Sequence, residues 1–192
     1  LHLACKTLHA KGVKSLDLTL EGFLGLFEDY LKLCNDRVRE RLGLATPGNL
    51  VRKALLALAQ ATPMSNGITW IEACRAIEPV IHGEVPPPSF VQELHKEGLV
   101  IVTQTAPDDY LIRFGYQRYG DVLRCIQMLQ SAKTAGSVDV ISLASQLAEC
   151  EAGLLEASAY VLPESAGVEL TELGLPKDRT YSAFIDGLVW RT

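Results

Sequence analysis

A chain of 192 residues, 48% hydrophobic and 21% charged, can bury the core of one large or two small domains without disulfide or metal staples, which excludes wholesale disorder. Its formal charge of -5, with no long run of Lys or Arg, offers no overall field for a phosphate backbone. No uninterrupted apolar stretch reaches the roughly 18 residues of a membrane span, and no charged-then-apolar leader precedes a small-residue cleavage site, so the expected compartment is the cytosol, with no membrane partner.

In chain order, Leu1 to about Ala10 reads as a helix that Lys11-Gly12 ends. The chain enters this pattern directly at Leu1-His2-Leu3, without an initiator methionine, which points to a longer parent. Cys5 and His9 lie one helical turn apart, but two ligands do not complete a zinc site, and no second pair follows at suitable spacing. All five cysteines, Cys5, Cys34, Cys74, Cys125 and Cys150, are widely spaced within apolar helical patterns and read as reduced core thiols.

Thr19 suits the N-cap of a long helix, in which Leu20, Phe23, Leu24, Phe27, Leu31 and Cys34 recur at three and four and the stripe continues to Val38 and Leu42. Glu28, Asp29, Lys32, Asp36, Arg37, Arg39, Glu40 and Arg41 lie mainly off that stripe, as a solvated face with helical ion pairs would.

Pro47-Gly48-Asn49 breaks the chain, and a second unit is expected from there. A helix over about Asn49 to Ala61 sets Val51, Ala54, Leu55 and Leu58 on one face. After the breaks at Pro63 and Asn66-Gly67, Trp70, Cys74, Ile77 and Ile81 mark another helix. Beyond His82-Gly83 and Pro86-Pro87-Pro88, Ser89 is expected to cap a third short helix carrying Phe90, Val91 and Leu94, which Gly98 stops. Leu99-Val100-Ile101-Val102 and Tyr110-Leu111-Ile112-Arg113-Phe114 read as a hairpin around Ala106-Pro107-Asp108-Asp109. Three helices followed by a hairpin is the winged-helix order, and because a two-stranded ribbon is unstable alone, Trp70, Leu94 and Ile101 are expected in a shared core.

A further helix from Gly115 to about Ser131 presents Tyr119, Val122, Leu123, Ile126 and Leu129 and should pack beside the wing. Beyond Gly136, helices are expected over Val138 to Leu147 and Gly153 to Leu162, then a loop near Pro163 and Pro176, and a closing helix over Asp178 to Trp190; no strict repeat period marks a solenoid. The expected fold is thus mainly α with a small β-hairpin: a helical segment over 1–46, a winged-helix module with its following helix over 47–135, and an antiparallel helical array over 136–192.

Helix-turn-helix proteins lay a recognition helix in the DNA major groove. Here that helix, Ser89 to Glu97, offers Gln92, Glu93, His95, Lys96 and Glu97. From Asn49 to Phe114 the basic residues Arg52, Lys53, Arg75, Lys96 and Arg113 face Glu72, Glu78, Glu84, Glu93, Glu97, Asp108 and Asp109, a net charge of -2. Phosphate contacts need clustered Arg or Lys, so nucleic acid is a disfavoured partner and a protein-packing role is expected. A winged-helix transcription regulator, whose C-terminal helices sense a ligand or dimerise, stands as the alternative.

No phosphate loop, dinucleotide fingerprint, G-x-S-x-G elbow or H-E-x-x-H occurs, and His2, His9, His82 and His95 sit in separate elements, so no catalytic, cofactor or metal residue is assigned. The densest polar-aromatic cluster is Arg113-Phe114-Gly115-Tyr116-Gln117-Arg118-Tyr119-Gly120-Asp121. Arg118 and Asp121 can pair at helical spacing, and Tyr116 and Tyr119 can pack on the wing, so Arg113, Tyr116, Arg118, Tyr119 and Asp121 are expected to form a strand-to-helix clamp or an interface.

Three stretches together resemble the region after the nucleotide-binding core of bacterial STAND-class signalling NTPases, including NACHT-type proteins linked to antiviral defence. Leu1-His2-Leu3-Ala4-Cys5-Lys6, with Glu21-Gly22-Phe23 through Phe27-Glu28-Asp29-Tyr30-Leu31, is similar to the family's helical passage out of the ATPase. Arg113 to Asp121 is similar to its Arg-Phe-x-Tyr-x-Arg-Phe/Tyr-x-Asp stretch. Leu162-Pro163-Glu164 through Val168-Glu169-Leu170, with Leu188-Val189-Trp190-Arg191, resembles the entry into its sensor repeats. The resemblance implies a lever between motor and sensor whose partners are other domains of the parent chain, with homo-oligomers possible on activation. ATP and Mg belong to that parent, since the family's phosphate- and metal-binding residues have no matching positions here.

Overall fold

The computed structural model of the chain describes residues 23–44, 48–61, 67–134 and 137–188. The helix expected over Leu1 to Ala10, the Thr19 cap, the Cys5 and His9 pair, the breaks at Pro47, Pro63 and Asn66, and Trp190 lie outside the described residues. Two compact units divide the rest: Phe27–Gly120, and the residues from Asp121 onward together with 23–26. The fold is mainly helical with a small three-stranded antiparallel sheet.

α1 (Phe23–Leu42) lies in the first unit from Phe27 onward and turns Phe27, Leu31, Cys34 and Val38 of the expected stripe inward, with Tyr30 buried as well and Leu24 and Leu42 half-buried. α2 (Leu50–Ala61) buries Leu50, Val51, Ala54, Leu55, Leu58 and Ala59. The two helices are tied by Asn35, whose side-chain amide donates to the Gly48 carbonyl and whose oxygen accepts from the Val51 N–H. That satisfies one of the orphan donors at the α2 start.

A short strand β1 (Ile68–Thr69) was not foreseen, because two residues carry no readable alternation. It runs directly into α3 (Trp70–Ile81), which Thr69 caps through a reciprocal box with Glu72; such a box satisfies two backbone donors at once. α4 spans Pro87–Lys96 with Pro86 at its N-cap, so Ser89 lies inside the helix and is not its cap. Proline at the first helical positions loses no hydrogen bond, because those N–H groups have no intrahelical acceptor.

β2 (Val100–Ala106) and β3 (Asp109–Phe114) form the expected hairpin, paired from Val100 with Phe114 to Gln104 with Tyr110. β1 adds on the far side of β3, Ile68 opposite Ile112, so the sheet order is β1-β3-β2. Ile101, expected in the core, is 46% exposed, while Val100 is buried. Neighbours along a strand face opposite ways, and the unbroken apolar run Leu99 to Val102 left its phase unreadable. Leu94 is buried as expected, but Trp70 is only half-buried at the start of α3.

α5 (Gln117–Ala132) begins in the first unit and continues into the second, where Val122, Leu123, Cys125 and Leu129 are buried. A two-residue ladder, β4 (Lys133–Thr134) with β5 (Ser137–Val138), precedes α6 (Val140–Ala148). α7 (Ala152–Ala166) carries Pro163 inside it and ends at Gly167 in the left-handed conformation, so the loop expected at Pro163 begins four residues later. α8 (Lys177–Leu188) packs on α7 where Gly187 approaches the Ala159 methyl closely. Arg179 holds the α6–α7 connection by donating to the carbonyls of Ala148 and Cys150.

Candidate functional site

In the first unit, α4 presents two faces. On one, Glu93 and Glu97 stand one turn apart, and Arg37 and Arg41 stand one turn apart on α1. Arg41 Nε meets Glu93 Oε2 at 2.5 Å and its Nη2 meets Glu97 Oε1 at 2.5 Å, while Arg37 Nη1 reaches Glu97 Oε2 at 3.3 Å. Lys96 adds a contact to Glu93 at 2.6 Å. The Tyr30 hydroxyl donates to the Glu97 carbonyl at 3.0 Å. Both carboxylate side chains are under a tenth exposed, so these are charge-assisted contacts shielded on the acid side.

The residues singled out on α1 as a solvated face therefore divide. Lys32 does pair within the helix, with Asp29 at 3.2 Å, but Arg37 and Arg41 clamp α4, and Glu28 pairs with Arg52 of α2 at 2.8 Å. The readable signal was the matching four-residue spacing of opposite charges, Arg37 and Arg41 against Glu93 and Glu97; nothing in one helix says which other helix it faces.

The other face of α4 borders an open cleft of about 710 Å³. Gln92 and His95 supply the α4 wall, and Thr69, Trp70 and Ile71 form the wall at the α3 start. Val102, Gln104 and Tyr110 line the sheet side, with Asp108 and Asp109 at the hairpin tip. The pairing register explains this shape: Val102 opposes Ile112 and Gln104 opposes Tyr110, so these side chains continue the inward row of the sheet past the point where helices cover it. Trp70 meets Tyr110 edge-on at 6.3 Å. His95 is held by its Nδ1 at 3.0 Å from the Val100 carbonyl. Ile71 is 69% exposed and adds apolar surface to the cleft wall.

The Arg113 to Asp121 stretch is divided between the units. Arg113 is exposed on β3, and Arg118 is half-buried in the first turn of α5. Tyr119 is buried against Phe27 at 5.1 Å and meets the exposed Tyr116 edge-on at 5.3 Å. Burial, with Cys34 and Tyr116 beside it, pushes the Tyr119 phenol up to about 12. Gly120 lets α5 sit against the Phe114 ring, since a Cβ there would fall 2.7 Å from Phe114 Cδ2. Asp121 belongs to the second unit. It is buried, pairs with Arg124 at 3.7 Å, and lies against the first turn of α7 at Gly153.

In comparisons with known protein families, curated proteins and solved structures, the chain has no significant match. Among the described residues, no group of three or more His, Cys, Asp or Glu side chains is placed to hold a metal ion.

Proposed function

We propose that the chain is a coupling element of a larger STAND-type NTPase, transmitting between an ATPase upstream of Leu1 and a sensor downstream by protein-protein packing, with ATP and Mg held by the parent's motor. The order helix, strand, helix, helix, strand, strand, with sheet order β1-β3-β2, supports reading Leu50 to Phe114 as a winged helix. The observation that carries the functional reading is the clamp of Arg37 and Arg41 on Glu93 and Glu97. It turns Arg37 and Arg41 toward protein carboxylates, and the polar residues that α4 and the hairpin tip leave exposed include Gln92, His95, Lys96, Asp108 and Asp109. Such a face is poorly matched to a phosphate backbone, which binds through clustered cations. A packed interface with two arrangements, biased by whichever ligand binds one of them more tightly, is the physical form of such coupling.

The test is twofold. The parent gene should encode a phosphate loop upstream of Leu1, and calorimetry should find nucleotide binding by the parent but none by this chain. Tight ATP binding by this chain, or no phosphate loop in the parent, overturns the reading. A low-salt mobility shift with duplex DNA that weakens steeply as salt rises would instead favour a transcription regulator.

A further inference from the structure

We infer that the cleft between the α3 start, α4 and the hairpin tip is a docking site for a peptide segment of another protein that presents an arginine or lysine flanked by apolar side chains. Its volume of about 710 Å³ falls in the range of about 300 to 1,000 Å³ typical of ligand clefts, enough for a few side chains. Two aromatic rings stand at its wall, Trp70 and Tyr110, in edge contact with each other. Ile71 and Val102 extend the apolar surface. Asp108 and Asp109, both exposed, also line the cleft at the hairpin tip, and among the described residues that line it there is no Lys or Arg.

Aromatic faces attract cations, most strongly the guanidinium of arginine, which stacks on a ring while its edges bond carboxylates. The aliphatic stem of Arg or Lys covers apolar surface while its head stays in a polar rim. Trp70 and Tyr110, with the acidic Asp108 and Asp109 in the same lining, match both halves of such a side chain. Ile71 and Val102 call for apolar neighbours on either side of it, which a peptide supplies and a free polyamine does not. The carboxylates repel a phosphate backbone. This assignment rests on the geometry of the cleft and does not depend on the coupling role, so its failure leaves the nucleotide experiment untouched.

The experiment pans a phage-displayed random dodecapeptide library on the immobilised full chain and measures recovered peptides, fluorescein-labelled, by anisotropy. Recovered sequences should carry Arg or Lys beside aliphatic or aromatic residues. Binding should weaken about tenfold or more in Asp108→Asn/Asp109→Asn and in Trp70→Ala, as expected for a hot spot. Asn tolerates the left-handed backbone of Asp108, at φ 66°, so the carboxylate variant tests charge without disturbing the turn. Circular dichroism checks the fold of each variant. The proposal is overturned if no peptide is enriched, if recovered peptides lack a basic residue, or if binding is unchanged in the double Asn variant. It is equally overturned if labelled spermidine or labelled duplex DNA binds the cleft as tightly as the peptides do.

Discussion

Arg41 and Glu93 stand 52 residues apart in sequence and meet at 2.5 Å, with the Glu93 side chain only 7% exposed and that of Arg41 38% exposed. Removing one partner of a fully buried pair costs about 3 to 5 kcal/mol because it strands the other charge. Arg41 is solvated and Lys96 remains beside Glu93, so Arg41→Ala should cost less, about 1 to 2 kcal/mol. Urea titrations of Arg41→Ala, Glu93→Ala and the double variant should give a coupling near 1 kcal/mol. Additive effects would remove the clamp from the list of what holds α1 to α4.

The same carboxylate sets an acid dependence. Burial works to raise the Glu93 value, but hydrogen bonds from Lys96 and Arg41 outweigh it and hold the carboxyl below its ordinary 4.5. The folded-state value is therefore the lower one, and its contribution is complete above pH 4.5 and is lost as pH falls through the folded-state value. Glu93→Gln should melt below the parent at neutral pH, and the gap should close as pH falls below the ordinary carboxyl value through the lowered folded-state one. A gap that stays constant across this range would mean that the ionised carboxylate contributes nothing.

How much of this was legible in the chain depends on how many positions carried each signal. α2 was readable because Val51, Ala54, Leu55 and Leu58 recur at helical spacing and all four are buried. The hairpin was readable from two apolar runs around Pro107-Asp108. Strand β1 was not, since Ile68-Thr69 becomes a strand only through its partners Ile112 and Leu111 on β3, and tertiary pairing overrides local pattern in so short a segment. The cleft was hidden for a related reason: Trp70 reads as core until it is known where the helices stop covering the sheet. Of the Arg113 to Asp121 cluster, Tyr116 and Tyr119, expected on the wing, meet each other, with Tyr119 against Phe27 of α1, and the seating of Asp121 on α7 joins residues about thirty apart and has no local signature.

Gly153 and Asp121 test that seating. Alanine in a helix is ordinarily better than glycine by about 1 kcal/mol. At Gly153, however, a Cβ would stand 2.8 Å from Asp121 Oδ2 and 3.3 Å from its Cγ, and both the carboxylate and its Arg124 partner are largely buried. Gly153→Ala should therefore destabilise by about 1 to 2 kcal/mol, the range for overpacking. In an Asp121→Ala background the same change should become neutral or stabilising. If Gly153→Ala stabilises the unaltered chain, the carboxylate does not occupy the first turn of α7.

The thiols supply a graded probe of the packing. Burial pushes Cys34 up to about 12, with Glu97 nearby adding to it. Burial also raises Cys125 to about 12 against the opposing hydrogen bond with Ser158, and Cys150 to about 11 against the opposing charge of Arg179. Cys74, on α3, is raised by burial as well, but it is half-buried where the other three are buried. Alkylation proceeds through the thiolate and needs access, so of these four thiols Cys74 should be modified first when native protein is treated with iodoacetamide at pH 8. Cys34, Cys125 and Cys150 should react only as urea unfolds the chain, at rates that follow opening of their helices. Mass spectrometry of the digested protein reads the order directly. Modification of Cys34 as fast as Cys74 in native buffer would show that α1 lifts from α4 without global unfolding, and would make the Arg37 and Arg41 clamp a dynamic contact rather than a fixed one.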